Sequence, residues 1–93
     1  MNDLAREVVE RMTAQGLTLG TAESTVGGMI GHLLTDVPGS SKVFVGGITA
    51  YHGGPKLTLL NVPVETLRNA GSVSEEATVA MARGGRETLQ VDI

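Results

Sequence analysis

Thr18-Leu19-Gly20-Thr21-Ala22-Glu23-Ser24-Thr25-Val26-Gly27-Gly28 is the stretch whose reading decides the fold. It opens as a short strand and closes as a glycine pair at the mouth of a helix. A strand-to-helix turn of this kind leaves the first N–H groups of the helix without partners. The helix dipole adds partial positive charge at the same place, so the turn favours anions and developing oxyanions. Gly27 and Gly28 lack a Cβ and let backbone or ligand come close. Ser24 falls where the strand stops, which is where open α/β sheets keep their chemistry.

Upstream of that turn, Leu4, Ala5, Val8, Val9 and Met12 recur at helical spacing, with Glu7 and Arg11 as an i,i+4 pair. Residues 3–15 therefore read as an amphipathic helix, capped by Asn2 or Asp3 and stopped by Gly16. The first strand then covers 17–22. The helix after Ser24 runs from about Gly28 to Asp36, burying Met29, Ile30, Leu33, Leu34 and Val37, and Pro38-Gly39-Ser40 ends it. His32 in that helix reads as a packing or surface histidine.

Downstream, Lys42 to Tyr51 is rich in β-formers and nearly all apolar, the pattern of a strand buried on both faces of a parallel sheet. Gly46-Gly47 would weaken such a strand unless another backbone packs close. Strand, helix and strand form a βαβ unit. With the two strands parallel, Ser24 and Tyr51 emerge at the same edge of the sheet. Pro55 suits the first position of a short helix at 56–60, Asn61-Val62-Pro63 breaks it, and Val64 to Asn69 makes another. Ser72 with Glu75 fits a capping box for a last helix to about Leu89, facing inward with Ala77, Ala80, Met81, Gly84 and Thr88. The glycine pair 84–85 implies close helix packing. Val91-Asp92-Ile93 reads as the start of a third strand, so the sheet is expected to be incomplete. The 1–93 domain reads as truncated after Ile93 or as completed by a partner. The fold class is α/β: three layers, α/β/α, with flanking helices.

Composition narrows the function. Ninety-three residues with 41% apolar content, one Phe, one Tyr and no Trp make a single domain with an aliphatic core. A net charge of −3, with no basic run and no aromatic platform, argues against nucleic acid as a partner. No apolar stretch approaches a membrane span and the amino terminus is polar, so a cytoplasmic protein is expected. Without cysteine there is neither a disulfide framework nor a thiolate zinc site.

Thr21-Ala22-Glu23-Ser24-Thr25-Val26-Gly27-Gly28 resembles the T-A-E-S-C-T-G-G motif of the CinA carboxy-terminal domain family, which includes the nicotinamide-nucleotide amidases. Four further pieces lie in register. Pro38-Gly39-Ser40-Ser41 is similar to P-G-S/A-S, and Gly46-Gly47-Ile48-Thr49-Ala50-Tyr51 with Lys56 to the family's G-G…Y-S-N-E-A-K. Val62-Pro63-Val64-Glu65-Thr66-Leu67 and Gly71-Ser72-Val73-Ser74-Glu75-Glu76 resemble V-P-x-E-T-L and G-A-V-S-E. The resemblance covers the whole chain.

The resemblance implies metal-free and cofactor-free hydrolysis of a small-molecule nucleotide substrate: nicotinamide mononucleotide gives nicotinate mononucleotide and ammonia. Carried over by position, Ser24 would be the nucleophile, Lys56 its proton acceptor and Tyr51 a hydrogen-bonding or proton-shuttling phenol. Glu23, Thr25, Gly27 and Gly28 would shape the substrate pocket. A serine hydroxyl needs a base in the transition state. Lysine serves only when neutral, against a model value of about 10.4, which asks for a buried amine. From the residues alone, without the resemblance, Ser24 reads as a helix cap rather than a nucleophile, Lys56 as a solvated lysine, Tyr51 as an ordinary strand-end residue and Glu23 as a carboxylate stabilising a helix start. The chain departs from the family at Thr25-Val26 and at His52-Gly53-Gly54-Pro55, where the amide and the carboxylate of the family's S-N-E-A loop are replaced and two glycines enter. The family's next strand and glycine-rich turn do not follow Ile93, so amidase activity is expected only of the complete domain. A nucleotide-binding remnant, or a subunit whose exposed sheet edge pairs with another chain, in a homo-oligomer for example, are the competing readings.

Overall fold

The computed structural model describes residues 2–93. Helix α1 (Asn2–Gln15) turns Ala5, Val9 and Met12 inward and leaves Leu4 exposed. The helix already includes Asn2, so its cap falls outside the described residues, and Asp3 lies in the first turn. Glu7 and Arg11 pair at 2.7 Å on the solvent face, worth only a few tenths of a kcal/mol. Gly16, at φ 68°, closes the helix, with Leu17 N–H donating to the Met12 carbonyl at 3.0 Å.

Strands β1 (Leu19–Glu23) and β2 (Phe44–Thr49) are parallel neighbours, with helix α2 (Met29–Thr35) between them in sequence. Leu19 pairs with Phe44 but Gly20 pairs with Gly46, so Val45 is an extra residue in β2. That insertion changes the face the strand presents. Phe44 packs with Val9, Leu34 and Val43 beneath α1 and α2, whereas Ile48 packs with Leu60, Val62 and Met81 on the opposite side. One sheet thus serves two cores, and the three-layer α/β/α expectation holds.

β2 is not buried on both faces, as its sequence suggested. It alternates half-buried with exposed, and Val45 is 56% exposed. The strand lies at an edge of a two-stranded sheet, and the bulge turns Val45 outward. Met29 and Ile30, expected in the core, are exposed in the first turn of α2, while Leu34 and Val37 are buried. At Gly46-Gly47 it is side chains rather than another backbone that come close: Leu89 lies over Gly46, and over Gly20 beside it, and the Thr21 hydroxyl lies against Gly47.

Beyond β2 come α3 (Gly53–Leu60), α4 (Val64–Asn69) and α5 (Glu75–Leu89). α3 begins at Gly53, two residues before Pro55, so Lys56 is its fourth residue rather than its second. Proline is tolerated there because no N–H of the first turn has a helical partner. The cap of α5 is Ser74, not Ser72: Ser74 Oγ accepts from Ala77 N–H at 3.1 Å and donates to the Gly71 carbonyl at 2.9 Å. Ser74→Ala should cost about 1 kcal/mol and lower the thermal midpoint by roughly 4–8 °C. Ser72→Ala should leave it within measurement error in the same melting experiment.

Val91–Ile93 run along the free edge of β1. Gly20 N–H donates to the Ile93 carbonyl at 2.9 Å and Ile93 N–H to the Thr18 carbonyl at 3.0 Å, the alternation of a parallel ladder. Asp92 Oδ2 accepts from the N–H and the hydroxyl of Thr18 at 2.9 and 3.1 Å, fixing the register.

Candidate active site

The two strand tips are tied together. Ala50 N–H donates to the Glu23 carbonyl at 2.8 Å, so the chain leaves β1 into Ser24 beside the point where it leaves β2 into Tyr51. α3 rises from that same end and carries Lys56. Ser24, Tyr51 and Lys56 therefore follow the carboxyl ends of adjacent parallel strands, the end at which such sheets bind ligands.

The side chains are less gathered than the backbone. Ser24 is half-buried and opens on a cavity of ≈ 210 Å³ lined with Glu23, Thr25, Val26 and Ile30 and, from α5, Thr78 and Met81. Lys56 and Tyr51 are not among its lining residues. Lys56 is 1% exposed, and its Nζ donates to the Ser72 carbonyl at 2.8 Å. Among the described residues, no carboxylate lies within ion-pair distance of that nitrogen. Tyr51 is 68% exposed and meets His52 edge to face, ring centres 5.7 Å apart.

Glu23 is engaged locally. It is buried, and its carboxylate accepts from Ile30 N–H at 2.9 Å and Gly31 N–H at 3.0 Å. These are N–H groups of the first turn of α2, so the carboxylate stabilises the helix start. Gly28 precedes that helix at φ 101° without a side-chain cap, a backbone angle that suits glycine. Gly27 and Gly28 shape the turn but do not line the cavity, whereas Thr25 does.

α5 supplies a wall that the motif did not reveal. Met81 was legible as an inward residue by its spacing. Thr78 stands one turn earlier, on a face the periodicity leaves polar, and its hydroxyl donates to the Ser74 carbonyl at 2.8 Å. A larger apolar hollow of ≈ 420 Å³ lies between α1, β1 and α2, but no ionisable side chain lines it. Among the described residues no His, Asp and Glu group could hold a metal ion, and no helix is long and apolar enough to cross a membrane.

Known proteins are similar to this chain in sequence and fold. A CinA-like protein of Parasynechococcus marenigrum is 46% identical over 91 residues, which is 98% of this chain and 22% of that protein. The crystal structure of the competence/damage inducible protein CihA from Agrobacterium tumefaciens superposes with a TM-score of 0.92 at 36% identity, over 98% of this chain and 54% of that one. A CinA superfamily protein from Enterobacter cloacae gives 0.95 at 30% identity, again over 98% of this chain and 54% of that one. The chain thus spans about a fifth of the curated relative and about half of the solved structures. The family model for the CinA C-terminal domain matches residues 1–93, and to that family the chain belongs.

Proposed function

We propose that the Ser24 end of the sheet is part of the active site of an amidohydrolase that converts nicotinamide mononucleotide to nicotinate mononucleotide and ammonia. Ser24 Oγ attacks the carboxamide carbon, and Lys56, as the neutral amine, accepts the hydroxyl proton and returns it to the departing ammonia. Water then hydrolyses the acyl-enzyme ester. Tyr51 hydrogen-bonds between the two. The N–H groups of Ile30 and Gly31 are already bonded to Glu23. Gly27 N–H is likewise taken by the Ser24 carbonyl at 3.1 Å, so oxyanion stabilisation falls to the N–H groups of Thr25, Val26 and Gly28. For the transfer, Lys56 Nζ must exchange the Ser72 carbonyl for the Ser24 hydroxyl.

The observation that carries this reading is the 2.8 Å tie between the strand tips, which puts the loops bearing Ser24 and Lys56 at one end of the sheet. Family membership supports it. The test is ammonia release from nicotinamide mononucleotide by this chain and by a chimera extended past Ile93 with the remainder of the Agrobacterium relative's domain. The chimera should turn over, and Ser24→Ala in it should reduce the rate by on the order of a thousandfold or more. Undiminished turnover by Ser24→Ala would remove serine catalysis from consideration. A second reading, a nucleotide-binding module without turnover, is favoured by the Lys56–Ser72 bond, which holds the amine away from Ser24. Binding of the nucleotide with no ammonia from either protein would establish it.

A further inference from the structure

The turn that carries Ser24 is soft by composition and is braced by one buried side chain. Gly27 at φ 66° and Gly28 at φ 101° give it backbone freedom, and Gly28 brings no side-chain cap to α2. Thr25 and Val26 are exposed. The root of the turn is fixed, since the Glu23 carbonyl accepts from Ala50 N–H at 2.8 Å. Its far end is fixed to that same residue: the Glu23 carboxylate, 4% exposed, accepts from Ile30 N–H at 2.9 Å and Gly31 N–H at 3.0 Å. A capping side chain stands directly before its helix and serves the first turn alone. Glu23 stands seven residues before Ile30, on the other side of Ser24, so its two charge-assisted bonds close the whole loop between them. Thr49, the register partner of Glu23, lies against the loop from β2, its Oγ1 3.4 Å from where a Gly28 Cβ would stand.

We infer that Glu23 is a positioning residue for Ser24. Its carboxylate is engaged by α2 rather than by a ligand. By clamping the start of that helix to the tip of β1, it sets the conformation in which the turn presents the Ser24 hydroxyl and the free N–H groups beside it. The inference rests on the amidase reading for what Ser24 does. A reacting group displaced by about 1 Å loses on the order of a hundredfold in rate, so release of the clamp is read in turnover as well as in the turn itself.

Amide spectra of the full 93-residue chain and turnover by the chimera test this with Glu23→Gln. That variant keeps the length and one acceptor but replaces the other oxygen with an NH2 group, which no N–H can bond. The amides of Thr25, Val26, Gly27 and Gly28 should shift together with those of Ile30 and Gly31. In the chimera kcat should fall about a hundredfold at a temperature where the variant is folded. Val43→Ala is the control for lost stability alone. Val43 is buried beneath α1 and α2 at the amino end of β2, so its truncation should lower the melting temperature and leave kcat at the wild-type value. Shifts confined to Ile30 and Gly31, an unchanged kcat in Glu23→Gln, or an equal loss of kcat in Val43→Ala would each overturn the inference. Should Glu23→Gln fail to fold, hydrogen exchange in the wild type decides. Gly27 N–H, bonded inside the loop to the Ser24 carbonyl, should be protected as well as Ile30 and Gly31, and much faster exchange at Gly27 would mean a turn that moves free of the clamp. A chimera that releases no ammonia with Glu23 intact would refute the amidase reading, and the spectra would then decide by themselves whether the carboxylate sets the turn.

Discussion

A Gly84→Ala variant should unfold roughly 10–20 °C below the wild type, a loss of about 2–3 kcal/mol in a domain of this size. α5 crosses the end of α3 at Gly84, and a Cβ there would lie inside the van der Waals envelope of the Leu60 carbonyl. Leu60 is fully buried and belongs to the core that also holds Val62 and Met81, so the carbonyl has little room to retreat. One turn on, Thr88 Oγ1 donates to the Leu59 carbonyl at 3.1 Å and fixes the crossing. Those carbonyls belong to the last turn of α3, where no helical donor reaches them. The helical gain from replacing glycine with alanine, about 1 kcal/mol, is smaller than the clash it creates. A circular-dichroism melt checks the difference, and a midpoint at or above the wild-type value would mean that α5 can shift off α3.

Lys56→Met should separate catalysis from stability. In the chimera, ammonia release should fall by about 10²–10⁴, the range for removing a general base. The fold should hardly notice. A buried amine with a single neutral partner is replaced by an apolar side chain of similar length, a change that is often neutral or stabilising. The abandoned acceptor is the backbone carbonyl of Ser72, an exposed residue that water can serve. Lys56→Arg completes the set. Arginine keeps the charge but does not give up its proton, so a variant that folds should stay inactive if the amine is the base. Recovery of activity in Lys56→Arg would assign Lys56 a purely electrostatic role.

Much of this molecule was legible because its signals are local. Glycine beyond a helix, proline after a strand tip and i,i+4 charges act within a few residues, and α1, α4 and the end of α5 lie where those signals put them. The parallel pairing of β1 with β2 followed from a connection that contains a helix. The motif around Ser24 gave the family and the end of the sheet at which chemistry would sit.

Only the tertiary structure decided what each side chain faces. Ser72 and Ser74 offer the same hydroxyl two residues apart. The cap fell to Ser74 because Gly71, at φ 92°, bends the chain before it. Val45 looks like core, yet the register jump between Leu19 and Gly20 turns it outward and moves Ile48 to the other face. The sequence by itself determined the order of elements and the identity of the turn, since both are set by neighbours along the chain. The bond that holds Lys56 and the wall made by Thr78 depend on groups brought together across the fold. No local spacing encodes those distances; they exist only once α5 has packed onto the sheet.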